Sequence, residues 1–150
     1  MPKVSAIIPC YNEQSTIWLL LEALRGQTFP LSDMEVIISD GMSIDNTRAE
    51  IAAFQEKYKD LKVRVVDNER RLIPVALNRA IESASGEIIV RLDAHSKPYP
   101  DYVENCVKAL EAERGDNVGG VWEIQAGAKT WVAESIAVAA AHPLAVGDAL

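Results

Sequence analysis

The chain has 150 residues, 49% of them hydrophobic and 25% charged, with a net charge of −7, the size and balance of one soluble globular domain with a real core. No block of Lys or Arg occurs, which excludes a non-specific nucleic-acid or anionic-lipid surface; a phosphate-bearing ligand has to be met locally, by a few cations or a metal. Cys10 and Cys106 make no disulfide framework and read as reduced, mostly buried thiols, while no signal peptide and no run of about 18 apolar residues is present, so a cytoplasmic chain is expected.

Strand and helix signals alternate. Val4–Pro9 is a short β-branched run and reads as a strand. Glu13–Arg25 has Ile17, Leu20, Leu21 and Leu24 at helical spacing, with Gly26 as a stop. Glu35–Ser39 is a second strand entering the Asp40-Gly41 turn. Asp45-Asn46-Thr47 opens a helix that places Ile51, Phe54 and Tyr58 on one face. Lys62–Val66 is a third strand. Pro74–Ala84 is a helix with Val75, Leu77, Ala80 and Ile81 inward, broken by Gly86. Glu87–Leu92 is the fourth strand and Pro100–Glu113 the next helix. Val118–Ile124 reads as a fifth strand and Thr130–Ala141 as an Ala-rich helix. This alternation predicts βαβ units: an α/β fold with a mostly parallel sheet and right-handed crossovers. His142–Leu150 looks like the start of further structure, so a longer parent protein is expected.

Four strand ends carry polar groups, and in a parallel sheet they share one edge, where ligands of open α/β sheets bind. The first is Pro9-Cys10-Tyr11-Asn12-Glu13, the second Ser39-Asp40-Gly41, the third Asn68-Glu69-Arg70-Arg71. The fourth, Asp93-Ala94-His95, holds a carboxylate and an imidazole two residues apart, which point the same way on an extended backbone. That pair can hold a divalent cation. Capping and solvation alone would explain any one of these ends; four on one rim are harder to explain that way. No G-x-G-x-x-G follows the first strand and no P-loop, G-x-S-x-G or C-x-x-C occurs, so a bound diphosphate has to be compensated by a cation that Asp93 and His95 are placed to hold.

Taken together, VSAIIPCYNE, VIISDGMSIDNT and SASGEIIVRLDAH, each following a strand, resemble the family 2 glycosyltransferases with the GT-A fold, over about Lys3 to Gly120. DAHSKPYPDYV and the Val118–Trp122 segment are similar to the bacterial exopolysaccharide, succinoglycan-type branch. The resemblance implies a truncated three-layer α/β/α domain. It also implies inverting transfer from a nucleotide-diphospho-sugar, typically a UDP-sugar, to a saccharide or lipid-linked acceptor. Pro9, Tyr11 and Glu13 would line the nucleoside pocket, and Asp40 would accept a hydrogen bond from the base. Arg71 or Arg70 would lie near the base or phosphates. Asp93 would contact the ribose or the metal, and His95 stands where the family has the second Asp of D-x-D, its direct metal ligand. Imidazole suits Mn²⁺ better than Mg²⁺, which prefers oxygen. Ser39 and the Asn78-Arg79 order also depart from the family pattern.

Such a transfer needs a base that takes the acceptor's proton. In the family it lies well downstream of D-x-D, which here falls beyond Leu150. Residues 1–150 are therefore expected to be the donor-binding part alone, without turnover, and the parent protein to lie at the inner face of a membrane. Uncovered apolar surface, with Trp122 and Trp131 as candidates, is expected to drive the chain to a dimer or larger species. The alternative reading is a non-catalytic nucleotide-sugar binding module with a degenerate metal motif; metal-dependent nucleotide binding separates the two. A nucleotidyltransferase is disfavoured, because acidic Cys10–Glu13 stands where such enzymes carry a Gly-rich basic loop.

Overall fold

The structure is a computed structural model that describes residues 2–120 and 123–142. Four strands, β1 (Val4–Cys10), β2 (Met34–Asp40), β3 (Lys62–Asp67) and β4 (Ile88–Arg91), form one sheet in the order β3-β2-β1-β4. Every neighbouring pair is parallel. The helices are α1 (Ile17–Arg25), α2 (Thr47–Lys57), α3 (Ile73–Ser83), α4 (Tyr102–Glu111) and α5 (Trp131–Ala140).

The central strands are apolar on both faces because both faces are covered. Ala6, Ile8, Val36 and Ile38 pack with Leu20, Leu21 and Leu24 of α1, Ile51 and Phe54 of α2, and Val103 and Val107 of α4. Ile7 and Ile37 alternate to the opposite face and pack with Ala80 of α3. The result is a helix–sheet–helix sandwich, as expected for the α/β class. Burying each large apolar side chain of α1 is worth about 2 kcal/mol.

A buried carboxylate fixes the fourth strand. Glu35 accepts hydrogen bonds from Ser5 Oγ (2.8 Å), Ser85 N (2.7 Å) and Ser85 Oγ (2.8 Å). Gly86 follows, packed so closely that a Cβ there would lie 2.7 Å from Ser5 N. The turn leading into β4 is thereby held against β1, which sets the register Ile7↔Arg91 and so the place where Asp93 and His95 emerge.

Three expectations are corrected. The first helix starts at Ile17 rather than Glu13, because residues 12–14 hydrogen-bond to the loop after β2 and to the first residue of α2 instead of entering the helix. Val118–Ile124 is not a strand among its described residues; Val121 and Trp122 lie outside them. The physical reason is Gly119-Gly120, which disfavours a strand, and Gly120 instead lies against the Tyr102 ring. Ile81 is exposed rather than inward, and Ala76 takes the buried position on α3 beside Ala80. The segment His142–Leu150 lies, apart from His142, outside the described residues.

Candidate functional site

Because all four strands run parallel, their carboxyl ends meet on one rim, and a cleft of about 340 Å³ opens there. Pro9, Tyr11, Glu13, Arg71, Asp93 and His95 all line it. Asp40 does not; its neighbour Gly41 does.

The first loop is pinned to the second. Asn12 adopts a left-handed backbone (φ 55°), its N–H donates to Ser43 Oγ (2.9 Å) and its Oδ1 accepts from Ile44 N (2.9 Å). Glu13 N donates to Thr47 Oγ1 (2.8 Å). Asn12 is therefore a loop fastener, not a cap of α1. Tyr11 lies against Gly41, where a Cβ would come within 3.2 Å of its ring carbon Cδ2. Arg71, also left-handed at φ 54°, places its guanidinium 5.6 Å from the Tyr11 ring centroid, within cation–π range. A flat aromatic face and a cation thus sit together at one end of the cleft.

Asp40 braces this end from within. It has no solvent exposure. Oδ1 accepts from Ser43 Oγ, and Oδ2 accepts from Ser43 N (3.1 Å) and Arg48 Nε (2.5 Å). The other arm of Arg48 reaches Asp67, at the end of β3. The backbone carbonyl of Asp40 accepts from Asn68 N (2.8 Å), which carries the brace into the loop bearing Arg71.

At the other end, His95 Nδ1 lies 3.1 Å from Glu13 Oε1. Asp93 Oδ1 lies 3.3 Å from a terminal nitrogen of Arg91, and the Asp93 carbonyl accepts from both Ser96 N and Ser96 Oγ. The helix that follows starts at Tyr102 with Asp101 at its N-cap, so Asp93 is not a helix cap. The Cys10 thiol, also lining the cleft, is pushed up to about 12 by burial and by the nearby carboxylates of Asp40, Glu13 and Asp45, which keeps it a neutral thiol. Among the described residues, no three His, Cys, Asp or Glu side chains cluster as a ready-made metal cage. The donor set is one imidazole and a carboxylate, with Glu13 beside the imidazole. This fits a borderline metal that draws its remaining ligands from a bound diphosphate.

Sequence reasoning missed Arg48, Arg91 and the apolar rim of Leu72, Ile73 and Ala76. A signal existed for Arg91, a charged residue closing an otherwise apolar strand. None existed for Leu72 and Ile73, which read as ordinary helix-entry residues.

The sequence model described as Glycosyl transferase family 2 matches residues 5–140. Glycosyltransferase AglE of Haloferax volcanii is 35% identical over 120 residues, covering 80% of this chain and 39% of that protein. The succinoglycan biosynthesis protein ExoA of Rhizobium meliloti is 40% identical over 114 residues, covering 75% of this chain and 34% of that one. Among solved structures, the mannosyltransferase PcManGT from Pyrobaculum calidifontis, in complex with GDP-Man and Mn²⁺, superposes with a TM-score of 0.69 at 36% identity, over 73% of this chain and 32% of its own. The chain thus spans well under half the length of these relatives.

Proposed function

The chain belongs to glycosyl transferase family 2, and on that premise we propose that it holds the nucleotide-diphospho-sugar donor of an inverting, metal-assisted transfer to a saccharide or lipid-linked hydroxyl. The observation that carries this reading is the cleft itself, with Tyr11 and Arg71 at one end and Asp93 and His95 at the other. Residues 1–150 supply the donor-binding part, and the place of action is the cytoplasmic side.

Tyr11 offers its ring to the nucleobase, and Pro9 and Glu13 line the same pocket. Arg71 lies between base and phosphates. Asp40, buried and outside the cleft lining, shapes the base pocket from behind, through Ser43, Arg48 and Asn68. His95 and Asp93 hold a divalent cation, Mn²⁺ in preference to Mg²⁺ because imidazole is a poor partner for Mg²⁺. When bound, that cation neutralises the charge that develops on the departing diphosphate. Glu13, in contact with His95, orients the imidazole and fixes which ring nitrogen carries the proton. The likeness to ExoA supports an exopolysaccharide acceptor.

Calorimetric titration of UDP and of GDP, each with Mn²⁺, Mg²⁺ or EDTA, tests this on the wild type, Asp93→Ala and His95→Ala. Binding that Mn²⁺ strengthens about tenfold or more over EDTA in the wild type, an enhancement that both variants lose, is expected. Metal-independent binding that both variants retain would remove His95 and Asp93 from the metal site. No binding of either nucleotide would overturn the donor reading for this chain.

A further inference from the structure

Arg91 is the last residue of β4 and pairs in register with Ile7. Register partners in adjacent strands point to the same face, and Ile7 packs towards α3 with Ile37 and Ala80. Arg91 therefore leaves the sheet on the α3 side, and it lines the cleft together with Ile73 and Ala76 at the start of that helix. Its side chain is 56% exposed, and its contact with Asp93, at 3.3 Å, is too long to engage the guanidinium fully.

The fixed charges facing the cleft are mixed. Glu13 and Asp93 are negative, Arg71 and Arg91 positive, and His95 adds no fixed negative charge. Arg71 stands at the Tyr11 end of the cleft, its guanidinium 5.6 Å from that ring centroid. Arg91 is thus the guanidinium left on the Asp93 side, and its planar fork matches two oxygens of a phosphate.

Resting on the donor reading above, we propose that Arg91 binds the diphosphate of the donor directly, sharing with the metal the task of neutralising it. The cleft then keeps part of its preference for a nucleoside diphosphate over the bare nucleoside when no metal is present.

The test compares uridine with UDP, and guanosine with GDP, by calorimetry in EDTA and in Mn²⁺, for the wild type, Arg91→Ala and Arg91→Lys. Melting temperatures check that each variant folds. In EDTA, Arg91→Ala is expected to weaken diphosphate binding by about tenfold or more while nucleoside binding stays within about twofold, and Arg91→Lys to restore part of the loss. The same loss is expected in an Asp93→Asn background. Equal weakening of nucleoside and diphosphate, or no change in either, overturns the proposal. So does a loss that vanishes in Asp93→Asn, because Arg91 would then act only by holding Asp93. If the wild type binds neither nucleoside nor diphosphate under any condition, the donor reading itself fails and takes this inference with it.

Discussion

Arg48 Nε lies 2.5 Å from Oδ2 of Asp40, a carboxylate with no solvent exposure. The same guanidinium also holds Asp67, so one side chain ties the ends of β2 and β3. Removing it leaves a buried charge with only the Ser43 contacts. Arg48→Ala is expected to cost about 2–3 kcal/mol, read as a lower urea midpoint with an unchanged slope. Asp67→Asn, at an exposed partner, is expected to cost less than about 1 kcal/mol. Equal costs for the two would contradict the brace.

Glu35 makes stability depend on acid. Burial pushes its carboxyl up, but hydrogen bonds from Ser85 N–H, Ser85 Oγ and Ser5 Oγ, with Arg64 nearby, outweigh burial and hold it below the ordinary value of 4.5. A depressed folded pKa contributes stability above 4.5 that is lost as the pH falls through the folded value. Glu35→Gln is expected to destabilise by about 1–3 kcal/mol near pH 7. The gap from wild type should narrow steadily below pH 4.5 in thermal melts. A constant gap across that range would show that Glu35 is not the titrating latch.

Tyr11 separates ring from hydroxyl. Its ring lies beside Gly41 and stands within reach of Arg71. Stacking of a base is worth about 1–3 kcal/mol, so Tyr11→Ala is expected to weaken nucleoside binding about tenfold, whereas Tyr11→Phe keeps it. A comparable loss in Tyr11→Phe would assign the role to the hydroxyl instead.

Helix α5 bears Trp131, Ile136 and Val138, exposed by 79%, 64% and 72%. Apolar groups so bare on one helix promote association. Light scattering is expected to give a dimer or larger species, and Trp131→Glu with Ile136→Glu to shift it towards monomer. A monodisperse wild-type monomer would refute this.

The sheet was legible because its signals are local. β-branched runs marked β1 to β4, and helical spacing marked α1, with Ile17, Leu20, Leu21 and Leu24 all buried as read. Six of the seven site residues named from strand-end position and resemblance line one cleft, because a parallel sheet leaves the ends nowhere else to go. What stayed hidden depends on contacts far apart in the chain. Asp40 reads as a ligand residue, but only the fold reveals that Ser43 and Arg48 enclose it. Ile81 fits a helical stripe, yet the small Ala76 sits where α3 approaches the sheet. Val118–Ile124 carries apolar residues around Gly119-Gly120, and no strand forms among its described residues.

The strand order has a consequence for synthesis. β1 is central, flanked by β2, which follows it closely, and by β4, which follows it only after two more strands and three helices. As the chain emerges from the ribosome, β3, β2 and β1 can pair and the Tyr11–Arg71 end can assemble. Asp93 and His95 arrive later, and only when Ile88–Arg91 docks beside Val4–Ile7. Until then one edge of β1 is bare, an adhesive strand edge on a nascent chain. A pause in translation while Ile88–Arg91 is still inside the ribosome would prolong that exposure, whereas one after this strand has emerged would give the cleft time to close.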